Sequence, residues 1–354
     1  MIAALVDGHV PGVDITHVPM RFSKSIGELG SVRAGKVAHL AEVIERIVAA
    51  RLRKRYDILY FPPSGPSTAA MIRDAAILLA TRRLFPRIVL HFHSGHLSEL
   101  LADLPVPLRL LADKAYGRPD AAIILSERLP RDDQLVNAAR TFTVPNGIPD
   151  EGAPPDRAHR APGPPRLLFL TALSERKGLF VLLEAARLLV QRGARFELVL
   201  AGEIRPSALR PRVEALLAST ELRDVVRTLG VVTGEAKRKA FLDADIFAFP
   251  SFYETQSVAV MEAMMFGLPV VAARSGAMED LVDQGRSGLL VPARDPQAFA
   301  DALHEVISDP ERAREMGRVG RARFEAQFTI AQHLNRMGEV FQAIAAEPST
   351  SRNR

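Results

Sequence analysis

Short apolar runs alternate with helix-length segments along this chain; the alternation stops at one proline-rich tract and then restarts. Before the tract, VDITHV (13–18) reads as a strand. It precedes a long helix whose apolar stripe is Val37, Leu40, Ala41, Ile44, Ile47 and Val48, the spacing of one buried face. DILYFP (57–62), a helix near 67–84, RIVLHFH (87–93) and DAAIILS (120–126) continue the series. After the tract come PRLLFLTA, a helix over 178–191, RFELVLAG, a helix near 210–218 and VVRTLG. A helix near 235–243, DIFAFP, a helix over 257–266, PVVAA and GLLV (288–291) complete it. Apolar strands separated by helices predict parallel sheets covered on both faces. The expected fold class is therefore α/β, with two Rossmann-like domains and a cleft between them. The first spans 1–149, a linker 150–165 (EGAPPDRAHRAPGPP in its core), and the second 166–327. A helix over 328–346, with Ile330, Leu334, Met337 and Phe341 on one stripe, is expected to cross back onto the first domain. Residues 347–354 are expected to form a disordered tail.

A chain of 354 residues is long enough for two cores of ordinary size. It has no cysteine, which excludes disulfides and thiolate metal sites. No run reaches the ~18 apolar residues of a spanning helix, and the first residues lack the basic-then-apolar pattern of a signal peptide. The expected compartment is the cytoplasm. Net charge is +5, and the sharpest basic feature is RLRKR (51–55), followed by Arg82, Arg83 and Arg87. Such a cluster is either a solvated helix end or a contact with anionic lipid, which would make the protein peripheral at the inner face of the cell membrane. No nucleic acid partner is expected, because the cluster has no interleaved aromatics.

The chemistry concentrates in SFYETQSVAVMEAMMFGLPVVA (251–272), where two glutamates lie in one of the most apolar stretches of the chain. Ligands of open parallel sheets bind at the carboxyl ends of the strands. Glu254 follows DIFAFP and so points toward that edge. Glu262 lies one to two turns into the next helix, flanked by Met261, Ala263, Met264 and Met265. A carboxylate there can accept both hydroxyls of a ribose diol; the plainer reading is a buried ion pair, with Lys239 or Arg274 as partner. The helix is expected to begin near Ser257, leaving the amides of Ser257, Val258 and Ala259 open to an anion or to sugar hydroxyls. TALSERKGL places Lys177 and Gly178 where the first strand of the second domain meets its helix, a position suited to phosphate oxygens and equally to a plain surface lysine. Gly202, in AGE, and Gly276, after Ser275, lie in loops on the same edge.

The run FPSFYETQSVAVMEAMMFGLPVVAARSGAMEDLVDQGRSGLLVPARD resembles the donor-binding region of the retaining, nucleotide-sugar-dependent glycosyltransferases of the GT4 family, which have the GT-B fold. Two glutamates separated by seven residues, a Gly-Pro-Val-Val turn with one residue inserted after the glycine, a glycine-containing loop and Gly-Leu-Leu-Val carry the likeness. RKGLFVLLEAARLL and VPNGI (144–148) extend it over nearly the whole chain. The resemblance implies an acceptor-side first domain and a donor-binding second domain. It implies that Lys177 holds the donor diphosphate, that Glu262 binds the ribose, and that Glu254 contacts the transferred sugar beside Thr255, Gln256, Ser257 and Val258. It also implies a histidine of the first domain near sugar and diphosphate. His93 fits that place, although it could equally be a satisfied loop histidine, and His91 and His96 are its neighbours. No cofactor and no metal are expected, and the chain is read as having no Asp-x-Asp run. The expected partners are a nucleoside diphosphate sugar and a sugar or lipid-linked acceptor, in polysaccharide, glycolipid or lipid-linked oligosaccharide assembly.

Two departures from the family pattern stand out. Ala172 occupies the position where the family usually has a diphosphate-binding arginine, five residues before Lys177; Arg176 is a candidate substitute. The opening strand and glycine-containing loop of the family are not matched either. MIAALVDG reads instead as the back half of a first helix, which predicts an incomplete first sheet. A nucleotide-binding relative with weak or no transfer activity, and a GT-B enzyme of sugar-phosphate chemistry or epimerisation, are the competing readings.

Overall fold

A computed structural model of the chain describes residues 2–7, 9–20, 34–65, 67–93, 97–152 and 163–346, without the side chains of 2–4 and 34–37. His96, the side chain of Val37, the centre of the proline-rich tract (153–162) and the 347–354 tail lie outside the described residues. The chain forms two compact units, one of residues 1–146 with 331–354 and one of 147–330.

The first unit contains helices α1 (Ile2–Asp7) and α2 (Ala34–Arg53), strand β1 (Ile58–Phe61), α3 (Thr68–Thr81) and β2 (Arg87–Phe92). These are followed by α4 (Leu97–Asp103), α5 (Val106–Tyr116), β3 (Ala121–Ile124), α6 (Asp132–Leu135) and β4 (Thr141–Thr143). Its four strands are all parallel, in the order β1-β2-β3-β4. One face is covered by α2, α3 and α5 through Val43, Ile47, Met71, Leu78 and Ala112.

VDITHV does not join this sheet. Residues 13–18 run without a ladder partner among the described residues, held by Lys54 Nζ to the Asp14 carboxylate and by a 2.9 Å bond from the Tyr56 hydroxyl to Thr16 Oγ1. Alternation makes a segment able to be a strand, but ladder hydrogen bonds need a neighbour at about 4.8 Å. Here a cavity of about 900 Å³ is lined both by residues 12–20 and by the β1 segment. β1 is accordingly the edge of the sheet.

The second unit runs β5 (Arg166–Leu170), α7 (Leu179–Gln191), β6 (Glu197–Ala201), α8 (Arg210–Leu217), β7 (Val226–Gly230) and α9 (Gly234–Asp243). It continues through β8 (Ile246–Phe249), α10 (Val258–Met265), β9 (Val270–Arg274), α11 (Met278–Leu281), β10 (Gly288–Pro292), α12 (Pro296–Ser308) and α13 (Pro310–Gln327). Six parallel strands are ordered β10-β9-β8-β5-β6-β7. The central β8 is buried throughout, with Ile246, Phe247, Ala248 and Phe249 all inside. Aspartate caps with proline at the first helical position start α12 and α13, as Asp295 accepting from Ala298 N at 2.9 Å and Asp309 from Arg312 N at 3.0 Å.

The last helix, α14 (Ile330–Ala346), returns to the first unit, where Met337, Val340, Phe341 and Ile344 pack with Val89, Ile123 and Val144. Burying side chains of this size contributes on the order of 1.5–3 kcal/mol each.

Candidate active site

The sheet of the second unit has a topological switch point. From β5 the chain moves outward to β6 and β7, then returns to place β8 on the other side of β5. The loops leaving β5 and β8 therefore diverge in connection while their strands are neighbours, which opens a crevice at their carboxyl ends. Lys177 is in the first loop and Glu254 in the second.

The two meet. Lys177 Nζ donates to Glu254 Oε1, and Ser251 Oγ donates to the same oxygen at 2.6 Å. The Lys177 ammonium also lies 5.8 Å from the Phe249 ring centroid. The lysine side chain is 28% exposed and the glutamate 11%, so the pair is open to a ligand from one side. Glycines let the loops come this close. Gly178 has φ 80°, and a Cβ there would stand 2.1 Å from the Pro250 carbonyl oxygen; Gly276 has φ 53° and would meet the Glu254 carbonyl at 1.9 Å. Any side chain at either position would push the loops apart, so these glycines act by positioning Lys177 and Glu254. Gly202 packs in the same way against the carbonyl of Thr171. The loops are further tied by Phe252 N to Arg176 O at 2.9 Å and by Ser275 Oγ to Ser251 O at 3.0 Å.

Helix α10 starts one residue later than its sequence suggests. Ser257 is its N-cap, with Oγ accepting from Val260 N at 3.4 Å, so the serine is spent on its own helix. Gln256 and Ser257 are buried, Thr255 is half-buried, and Val258 is exposed at 48%. Glu262 is 16% exposed and accepts from Lys237 Nζ of α9 at 2.5 Å. Neither Lys239 nor Arg274 is its partner: Lys239 pairs with Asp243 on its own helix and Arg274 with Glu279. Consecutive helical residues are turned about 100° apart, so Lys237 and Lys239 face opposite ways.

The sequence does contain an Asp-x-Asp run, Asp243-Ala244-Asp245, but it precedes β8 and lies at the amino end of the sheet. Asp245 accepts from Arg166 N at 2.7 Å and Asp243 pairs with Lys239, which makes both structural. Among the described residues no group of three or more metal-ligating side chains is placed to hold a metal ion.

In the first unit, His93 follows β2 and lines the cavity beside β1. His91, two residues earlier on the same face, is fully buried, and the two rings lie 4.0 Å apart. The Tyr60 hydroxyl and His91 Nδ1 are 2.7 Å apart. Burial holds the Tyr60 phenol protonated, so it donates and leaves the His91 proton on Nε2, a buried atom with no partner. Burial, with His93 and His333 nearby, pushes His91 well below the usual imidazole range. Burial likewise pushes His93 down to about 4, with His333 adding to the effect. His93 is thus a neutral imidazole at neutral pH. His333 of α14 is buried too, with Nδ1 2.8 Å from the Pro145 carbonyl.

The basic cluster is partly committed to the fold. Arg82 donates to the carbonyls of Lys114, Ala115 and Gly117 at the carboxyl end of α5, Arg51 to Leu84 O at 2.7 Å, and Lys54 pairs with Asp14. Arg53, Arg55 and Arg83 remain exposed without an ion pair among the described residues, beside Leu52 at 82% exposure.

Two parallel α/β units, with this loop pair at the switch point of the second, define a GT-B fold. Residues 164–309 match the family model for glycosyl transferases group 1. The chain is 36% identical over 264 residues to a putative colanic acid biosynthesis glycosyltransferase, WcaL, of Salmonella typhimurium, covering 70% of this chain and 60% of that one. It is 32% identical over 188 residues to the amylovoran biosynthesis glycosyltransferase AmsK of Erwinia amylovora, covering 51% and 46%. It thus spans about half the length of the curated relatives it matches. The sucrose-phosphate synthase of Thermosynechococcus elongatus superimposes with a TM-score of 0.69 at 22% identity, over 95% of this chain and 87% of that one. Anabaena HepE in complex with UDP gives 0.68 at 20%, over 86% and 82%. The second unit thus belongs, over residues 164–309, to the glycosyl transferases group 1 family, and the chain has the GT-B fold.

Proposed function

We propose that the protein transfers a glycosyl unit from a nucleoside diphosphate sugar to an acceptor hydroxyl with retention at the anomeric carbon. The observation that carries this reading is the pairing of Lys177 with Glu254 across the β5–β8 switch point, with Glu262 one helix away. Lys177 binds the diphosphate, Glu262 the ribose diol and Glu254 the transferred sugar, supported by Thr255, Gln256, Ser257 and the first amides of α10, including that of Val258. Gly178, Gly202 and Gly276 set the loops around them. Lys177 stabilises the charge that develops on the leaving diphosphate. His93 acts as a neutral hydrogen-bonding group toward the sugar, in keeping with its depressed pKa. The retained stereochemistry is read as a same-face reaction in which the departing diphosphate takes the acceptor proton, and no side chain is assigned as general base. Relatives named for colanic acid and amylovoran biosynthesis favour a polysaccharide or lipid-linked acceptor.

The test is calorimetry with UDP, GDP and ADP beside transfer assays with the corresponding sugars. Glu262→Gln should weaken nucleotide binding by about 1.5–3 kcal/mol, the net worth of a hydrogen bond to a charged group. Glu254→Gln should spare free nucleotide and lower turnover, since its ligand is the sugar. Normal nucleotide binding by Glu262→Gln would reduce that residue to a structural carboxylate. Ala172, in place of a second cation on the diphosphate, favours one competing reading: a protein that binds nucleotide and transfers weakly or not at all. Intact nucleotide binding with no turnover of any donor would establish that alternative.

The first unit docks peripherally on the cytoplasmic membrane face through Arg53, Arg55, Arg83 and Leu52. Each arginine near an anionic surface is worth about 1 kcal/mol. Charge reversal at the three arginines should abolish co-sedimentation with anionic liposomes, and raised salt should weaken it in the parent protein. Equal sedimentation with neutral liposomes would refute the docking.

A further inference from the structure

The run Lys237-Arg238-Lys239 on α9 sends its three cations to three different places. Lys239 stays on its own helix with Asp243 at 3.0 Å, and Arg238 pairs with Glu151 at 3.4 Å. Lys237 alone reaches α10, where its ammonium lies 2.5 Å from Glu262 Oε1. Both side chains keep part of their surface in solvent, 32% for the lysine and 16% for the glutamate. An ion pair this exposed contributes only about 0–1 kcal/mol to stability, so stability is a weak reason for the arrangement. The surroundings point elsewhere. Val231, just after β7, is 68% exposed and Val258, opening α10, is 48% exposed. Apolar side chains thus stand uncovered at the carboxyl-end edge of the sheet, in the loop that leads into α9 and at the start of α10.

We propose that Lys237 is a specificity residue of the donor site, forming with Glu262 a two-residue reader of the nucleotide's 2′-hydroxyl. The inference rests on the assignment of Glu262 to the ribose. The carboxylate has two oxygens and accepts one hydrogen from each hydroxyl of the diol. The ammonium has three donors. One stays on Oε1, and a second meets the lone pair of the 2′-oxygen, whose own proton goes to the carboxylate. Each 2′-hydroxyl then has a donor and an acceptor facing it. A 2′-deoxynucleotide leaves the ammonium and one carboxylate oxygen without their ligand partners in a partly desolvated site, which is how a hydrogen-bonding site rejects an analogue lacking a hydroxyl. Lys237 contributes nothing to the diphosphate, which belongs to Lys177.

The experiment is isothermal calorimetry of the full chain with UDP, GDP, ADP, their 2′-deoxy counterparts and inorganic pyrophosphate. It compares the parent protein with Lys237→Met, Lys237→Arg and Glu262→Gln. The parent should bind its ribonucleotide roughly tenfold or more tighter than the deoxy form, the equivalent of one lost hydrogen bond to a charged group. Lys237→Met should bind the ribonucleotide at least about tenfold more weakly, with the ribo-to-deoxy ratio falling toward unity and pyrophosphate binding unchanged. Lys237→Arg, which keeps the charge and donors, should restore part of the ratio. Thermal unfolding of Lys237→Met near that of the parent separates recognition from folding. If Lys237→Met keeps the parent's affinity and ratio while Glu262→Gln loses affinity, the Lys237 assignment fails and the ribose assignment of Glu262 survives. If Glu262→Gln also binds normally, or no nucleotide binds the parent, both fall together.

Discussion

Replacing Lys177 with alanine is expected to lower transfer about 10²–10³-fold, the usual cost of deleting one preorganised group that stabilises charge in a transition state. The size follows from what else stands near the diphosphate. The loop from β5 carries Ala172 where a second cation would sit, and of its two cations Arg176 is exposed while Lys177 turns toward Glu254. Its ammonium is paired with Glu254, which also accepts from Ser251 Oγ. A diphosphate must compete for that ammonium, and it competes best when charge has built up on the leaving group. Lys177→Ala should therefore lose more in turnover than in binding of free nucleoside diphosphate. The binding loss should still be tenfold or so, since one charge-assisted contact disappears. Lys177→Arg should recover part of the binding and less of the turnover, because a planar fork does not reproduce a point charge. Steady-state kinetics on an active donor, with calorimetry on the same variants, reads both quantities. Transfer within threefold of the parent in Lys177→Ala would place the diphosphate elsewhere.

The second unit was legible from sequence because its signals are local. Each strand is a continuous apolar run, Gly178 and Gly276 sit where loops must nearly touch, and Glu254 follows a strand whose carboxyl end is the ligand edge. What local pattern could not give was long-range pairing. The sequence pointed to Lys239 or Arg274 as the partner of Glu262 and missed Lys237, because helical phase decides between Lys237 and Lys239 and the start of α9 at Gly234 is not marked by a capping hydrogen bond. RLRKR and its companions look like free charge in sequence, yet Arg82 is committed to carbonyls more than thirty residues away. VDITHV has the alternation of a strand without a neighbour to pair with, since alternation reports which face a segment could bury and says nothing about whether a ladder is within reach.

Acid should destabilise the first unit well before its carboxylates protonate. His91 is a buried imidazole and His93, half-buried, lies against it, with Tyr60 of β1 and His333 of α14 as the other titratable groups around them and Arg336 near His333. A cation in such a place has lost its water and faces other groups that also repel it, so both histidines stay neutral when folded. Their folded pKa values lie below the unfolded value of about 6.5. Between the two values the unfolded chain binds more protons, so stability rises with pH. The contribution is fully present above about pH 6.5 and is lost as pH falls to the folded value, about 4 for His93. A shift of that size corresponds to about 3 kcal/mol from His93 alone, and His91 acts in the same direction. Urea denaturation at pH 7, 5.5 and 4.5 should show this slope, and His93→Asn, which cannot titrate, should flatten it over the same window. Proton resonances for the two rings should remain those of neutral imidazole at pH 6. An unchanged slope in His93→Asn, or a ring titrating near 6.5, would mean that His93 is solvated and charged like a surface histidine, and the neutral hydrogen-bonding role assigned to it would go with it.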